Sequence, residues 1–222
     1  MIIRFQYSKL GMMKYLGHLD LIRFFERAFR RLKLPLAFSQ GYHPHPKMTF
    51  GGPLSVGVSS EYEIMEVELD RKINVADFMV RFNDFAPVGL KLIDYRPVAK
   101  STSLMQAVSL IRYRVDMPAG QCDLVAAFAA SDKIILRKKN KKHRWVDKDL
   151  KPFVAEIVES GDSAIGRRYI ISIHSFDNGS AKPRDVIAIL CRDTALDIYA
   201  VDITRTALFF SDSGQYKPLL EL

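Results

Sequence analysis

Cysteine and tryptophan are scarce in this chain: among 222 residues there are two cysteines and one tryptophan. Cys122 and Cys191 stand far apart among apolar neighbours and share no short ligand spacing, which excludes a zinc knuckle and a disulfide framework and predicts two buried thiols. No apolar run approaches the ~20 residues that a bilayer crossing requires. The opening MIIRFQYSKLGMMKYLG lacks the unbroken apolar core and small-residue cleavage site of a signal peptide, so the expectation is a cytoplasmic chain with no membrane association. A glycine-rich phosphate loop, a Gly-x-Ser-x-Gly elbow and a Cys-x-x-Cys pair are all missing, which excludes the common cofactor and nucleophile signatures.

What is present begins with apolar content. Hydrophobic residues make up 48% and aromatics 11%, enough to bury a core and to exclude disorder as the resting state. Lysine and arginine number 33 against 25 acidic residues, a formal charge of +8. That excess is concentrated. Residues 133–151 hold nine basic side chains and two acidic ones, so the rest of the chain is close to neutral apart from residues 23–33, where five basic residues face only Glu26. An anionic partner would bind at these two patches.

Hydrophobic periodicity gives the same element order twice. Residues 2–7 alternate like a strand, 18–33 carry Leu21, Phe24, Phe25, Ala28 and Leu32 at helical spacing, and 47–54 and 61–70 are strand-like. Residues 74–85 form a helix that Asn74 can cap, and 90–96 a closing strand. The second half places strands at 109–117, 133–139, 168–174 and 196–204, with helices at 122–131 and 183–191. The expected fold is α+β: two tandem ferredoxin-like (βαββαβ) domains with antiparallel sheets, over residues 1–98 and 107–222 and joined by a polar linker at 97–106. The second domain carries a basic β-hairpin. Each would leave one sheet face open, a surface on which domains of this kind often bind single-stranded RNA.

The hairpin reads ILRKKNKKHRW, with Arg137, Lys138, Lys139, Lys141, Lys142 and Arg144 around a turn at Asn140 and followed directly by Trp145. Cations on a projecting hairpin can follow a phosphate backbone while an adjacent indole stacks on a base. An edge kept basic to discourage strand pairing is the alternative, although that protection requires less charge. On the first helix Arg23, Arg27 and Arg30 share one face, suited to phosphates, to an acidic partner surface, or to solvent alone. His18 sits where that helix begins, with Asp20 in its first turn, so His18 is expected to cap it. Between residues 39 and 54, Tyr42, His43, His45 and Lys47 alternate with prolines that stiffen the loop. No nearby carboxylate or cysteine completes a metal-ligand set, so no metal and no cofactor are expected. Glu61, Glu63, Glu66 and Glu68 are expected on a solvated sheet face.

The run YLGHLDLIRFFERAFRRLKLPLAFSQGYHPHPKMTFGGPLSVGVSSEYE resembles the small radical SAM-linked protein family, a bacterial domain of unknown function. The family pattern falls on His18, Leu19, Asp20, Arg23, Arg27, Ala28, Arg30, Arg31, Leu34, Pro35, Ser39, Gly41, Tyr42, Pro44, Pro46 and Lys47. Later in the chain the basic hairpin, Lys182-Pro183 and Thr204-Arg205-Thr206 look like the family's remaining motifs. The resemblance implies an accessory to a radical SAM protein, plausibly acting on RNA, and supplies no catalytic residue. With no Cys-x-x-x-Cys-x-x-Cys run, the chain cannot itself bind the cluster such chemistry needs. The leading expectation is therefore a non-catalytic RNA-binding or substrate-presenting module, with His18, Asp20, Arg23, Arg27, Arg30, Tyr42, His43, His45 and Lys47 as its partner or substrate surface. The alternatives are a histidine-dependent RNA-processing endonuclease of double ferredoxin-like architecture and a pure protein–protein adaptor.

Overall fold

The computed structural model describes residues 1–139 and 143–222. The chain is mixed α+β, rich in antiparallel strand pairs, and divides into two compact units: residues 1–108 with 207–222, and residues 109–206.

The first unit contains β1 (Ile2–Lys9), α1 (His18–Arg31), β2 (Met48–Phe50), β3 (Ser59–Glu68), α2 (Val75–Phe85), β4 (Leu90–Val98) and the short α3 (Leu104–Ala107). Its strands lie in the order β4-β1-β3-β2, each antiparallel to its neighbour. Alternation along β1 sends Ile3, Phe5 and Tyr7 to one face, where they join Leu21, Phe25, Ala28 and Phe29 of α1 and Val75, Phe78 and Phe82 of α2 in one core. Phe25 stacks on Phe82 with ring centroids 5.7 Å apart, and Tyr7 meets Phe25 edge-on at 5.1 Å. Each such ring removed from water contributes roughly 1.5–3 kcal/mol, which makes this face the unit's main source of stability.

Local sequence explains the helix ends. The Asn74 side chain accepts from the Asp77 backbone N–H at 3.3 Å, the cap that its position predicts. The expected cap at His18 is corrected: Gly17 occupies that position and His18 is the first helical residue. At the other end of α1, Lys33 adopts φ 55° while its N–H reaches the Arg30 carbonyl and the Leu34 N–H reaches that of Phe29. This left-handed stop closes two otherwise orphaned carbonyls.

The other face of the first unit's sheet overturns two expectations. Arg4 and Glu66 oppose each other across β1 and β3 and are 1% and 2% exposed, so Glu66 is not on a solvated face; Glu63, opposite Tyr7 on the helix-covered side, is buried as well. Nor is the face open: Arg4 Nη1 donates to the carbonyls of Leu219, Leu220 and Leu222, which drape the last residues of the unit over it. The Tyr62 hydroxyl accepts from the Leu220 N–H at 3.1 Å. The expected linker is likewise part of this unit, since Ser101 Oγ and the Thr102 N–H both donate to Glu66 Oε2.

The second unit contains β5 (Leu110–Pro118), α4 (Leu124–Ala130), β6 (Ile135–Lys139), β7 (Trp145–Asp149), β8 (Val154–Ser163), β9 (Gly166–Phe176), β10 (Gly179–Ser180), α5 (Pro183–Leu190) and the start of β11 (Asp202–Asp212). Antiparallel β8, β9 and β5 form its sheet with β11 beside β5, while among the described residues β6 and β7 pair only with each other. The expected strand at 133–139 is therefore not the sheet partner of β9; β8 is. Irregular register between Val154 and Glu156 and between Glu159 and Asp162 breaks the two-residue period that would have revealed β8, leaving Val154 and Ile157, three apart, as its buried residues. The final strand also begins later than expected, because residues 198–200 form a 3₁₀ turn capped by Asp197.

From residue 207 onward β11 belongs to the first unit, where it lies beside β3 and pairs with β12 (Gln215–Pro218). The second unit thus ends at 206 and not at 222. Cys122 and Cys191 are bonded to each other, with Cα atoms 5.9 Å apart, which corrects the expectation of free thiols. Their separation of 69 residues hid the pairing from any short-spacing rule.

Candidate functional site

In the second unit the basic hairpin stands on a buried base. Ile134 and Leu150 are buried, and the Asp149 carboxylate accepts from the Ile134 and Lys151 N–H groups at 2.9 Å each. Burial raises the Asp149 pKa, but those two donors and the charges of Lys133 and Lys151 outweigh it and hold the carboxyl below its ordinary value. Beyond that base the strands project as a two-stranded ribbon on which Lys139 faces Trp145 and Arg137 faces Asp147.

Register decides which groups share a face. Lys139 Nζ lies 5.3 Å and Arg137 Cζ 5.6 Å from the centroid of the Trp145 ring, which remains 59% exposed. Lys138, one residue out of phase, lies opposite Val146, and Arg144 is exposed just before Trp145. Lys141, Lys142 and the turn at Asn140 lie outside the described residues. Two cations of the segment are used internally. Lys148 donates to the Ser180 carbonyl and lies 4.0 Å over the Phe153 ring, with burial and then the Lys138 charge pushing its pKa down. Lys151 donates to the Phe128 carbonyl at 2.6 Å. Among the described residues the exposed cations of the ribbon are Arg137, which also pairs with Asp147 at 4.0 Å, Lys138, Lys139 and Arg144, and the Trp145 indole is exposed with them. That arrangement can meet phosphates and stack a base.

In the first unit Arg23, Arg27 and Arg30 are all exposed on α1. Arg23 makes a 3.4 Å pair with Asp20, and Arg30 lies 5.3 Å from the Phe38 ring at the base of the proline loop. That loop is closed at its neck: the Ser39 N–H donates to the His45 carbonyl, the His45 N–H to Ser39 Oγ, and Phe38 bridges Pro46. The neck holds Tyr42, His43 and His45 at an exposed tip. Arg30 is the residue that joins the helix face to this loop.

His18 and Lys47 have other neighbours. His18 meets Phe50 edge-on at 5.7 Å, near buried Lys9 and Glu63. Burial pushes its imidazole below the ordinary histidine value, with Glu63 opposing that shift and Lys9 adding to it. Lys47 pairs with Glu68 at 3.1 Å and lines a cavity of about 310 Å³ together with Ile2, Thr49, Glu66 and Ser101. Sequence reasoning missed Arg4, Lys9 and this cavity. Arg4 and Lys9 within a strand that otherwise reads as core were the available signal, because a charge on a buried strand needs a partner. Among the described residues no three His, Cys, Asp or Glu side chains gather into a metal-holding group.

A family model described as "Uncharacterized protein conserved in bacteria (DUF2344)" matches residues 3–182. No curated protein matches the chain. Among solved structures, a chain in "Crystal Structure of a Cbf5-Nop10-Gar1 Complex" is similar at 11% identity and a TM-score of 0.46; the match covers 94% of this chain and 50% of that one. The protein thus spans half the length of that chain.

Proposed function

The chain belongs to this bacterial family, and we propose that it is a non-catalytic accessory that binds RNA and presents substrate to a radical SAM enzyme. The observation that carries the RNA reading is the β6–β7 ribbon, which among the described residues pairs with no other strand and holds Arg137 and Lys139 against an exposed Trp145. A ribbon of this kind can enter a nucleic acid as a unit, its cations neutralising phosphates and its indole accepting a base. We read both units as ferredoxin-like. The first unit's order β4-β1-β3-β2 and the second unit's β11-β5-β9-β8 support that reading, with β6 and β7 as an insertion after α4. The radical SAM link rests on the motif likeness from His18 to Lys47, whose exposed members on α1 and at the loop tip would form the docking face. The cytoplasmic setting expected from the sequence is not part of this proposal, because Cys122 and Cys191 are bonded and structural disulfides are rare in that compartment.

The test is binding of single-stranded and structured RNA across a salt series. A steep fall in affinity with salt, abolished by a folded Lys138/Lys139/Lys141/Lys142→Glu variant, supports the proposal. Unchanged affinity in that variant overturns it. Site-specific cleavage that disappears on His43→Ala or His45→Ala would instead establish an endonuclease. Co-purification with the host's radical SAM proteins, lost in a folded Arg23/Arg27/Arg30→Glu variant, tests the partner.

A further inference from the structure

The cavity in the first unit has no part in the RNA reading. It lies on the sheet face away from α1 and α2, where two neighbouring cross-strand rows meet: Thr49 opposite Glu66 opposite Arg4, and Glu68 opposite Ile2. Lys47 joins the second row through its own carbonyl, which accepts from the Glu68 N–H at 3.0 Å. At about 310 Å³ the space is at the small end of the range for small-molecule sites.

Its charges are arranged for exchange. The Glu66 carboxylate is saturated by Arg4, Ser101 and Thr102, so it is a fixed wall and not a free ligand group. Lys47 and Glu68 differ: they are paired at 3.1 Å but remain 46% and 37% exposed. An ion pair this open contributes roughly 0–1 kcal/mol, so separating it costs little. A ligand carrying both a carboxylate and an ammonium can replace each partner of the pair without leaving a charge unmatched. An anion alone would strand Glu68, and a cation alone would strand Lys47. Beside the pair, Ile2 and Pro46 offer an apolar wall, the Thr49 hydroxyl a further hydrogen-bonding group, and Ser101 Oγ, whose proton is held by Glu66, an acceptor.

We infer that this cavity binds a small zwitterion with an apolar side chain, of the α-amino acid class, its carboxylate on Lys47 and its ammonium on Glu68. The site shares no residue with the basic hairpin, so its failure and that of the RNA reading are read in different experiments. The experiment is calorimetric titration of the full chain with L-leucine, L-methionine and L-phenylalanine. N-acetyl-L-leucine, L-leucinamide and inorganic phosphate serve as single-sign controls. The expected result is saturable binding of at least one amino acid, weakened tenfold or more when either charge of the ligand is removed, and likewise by Glu68→Gln and by Lys47→Met in proteins whose circular dichroism is unchanged. Absence of saturable binding by all three amino acids overturns the inference. So does equal affinity in both variants, or phosphate binding as tightly as the amino acids.

Discussion

Arg4 donates through Nε and Nη2 to a single oxygen of Glu66 from the neighbouring strand, at 3.1 and 2.7 Å, with both side chains excluded from solvent. Arg4 Nη1 reaches the carbonyls of Leu219, Leu220 and Leu222, and Nη2 also donates to Thr102 Oγ1 at 3.2 Å, so the pair ties β1, β3 and the end of the unit together. A buried pair is stabilising only relative to its broken form, because each charge alone would be stranded in a low dielectric. Glu66→Gln or Arg4→Met is therefore expected to cost about 3–5 kcal/mol, and a double substitution to apolar residues of similar volume to recover most of it. Chemical denaturation followed by circular dichroism checks both. A loss under 1 kcal/mol in the single variants would show that water reaches the pair.

The α1 stop offers a gain in stability. Lys33 sits at φ 55°, a conformation that costs a side-chain-bearing residue about 1–2 kcal/mol and glycine almost nothing. Part of the benefit is lost because glycine is freer in the unfolded chain. Lys33→Gly should raise stability by about 0.5–1 kcal/mol, read as a higher denaturant midpoint at constant slope. A lower midpoint would mean that the lysine stem packs on the helix end.

Histidine 18 should make stability pH-dependent in one direction. Burial lowers its pKa in the folded chain below the unfolded value of about 6.5, so the unfolded state binds the proton more readily. Its contribution is complete above that unfolded value and is lost as pH falls through the folded pKa. His18→Gln should flatten this part of the stability profile as pH falls below the unfolded value of about 6.5. Proton NMR of the imidazole reads the same shift directly, and a folded pKa at or above the unfolded value contradicts it.

Charge and stacking on the hairpin can be separated. Trp145→Ala should weaken single-stranded RNA binding by about 1–3 kcal/mol with the salt slope nearly unchanged. Lys139→Gln should instead reduce that slope by about one phosphate contact. Affinity in Trp145→Ala equal to wild type would leave the hairpin as a purely electrostatic arm.

What the sequence determined alone is what neighbours a few residues apart decide. The apolar stripes of α1 and α2, the Asn74 cap, the concentration of charge between residues 133 and 151 and its hairpin form all follow from local periodicity and composition, and all stand in the structure apart from the turn at Asn140, which lies outside the described residues. The alternation that places Glu66 on a sheet face was equally legible, but not what would cover that face. Its partner Arg4 is 62 residues away, and the carbonyl of Leu219, which also meets that guanidinium, is 215 residues from Arg4. Tertiary structure likewise decided that β8 and not β6 lies beside β9, because an irregular register hides a strand from a two-residue period. It decided that Cys122 meets Cys191, and that residues 207–222 complete the first unit. A period in sequence reports which side of an element is apolar. Whether a charge on the other side meets water or a partner depends on which distant segment arrives there.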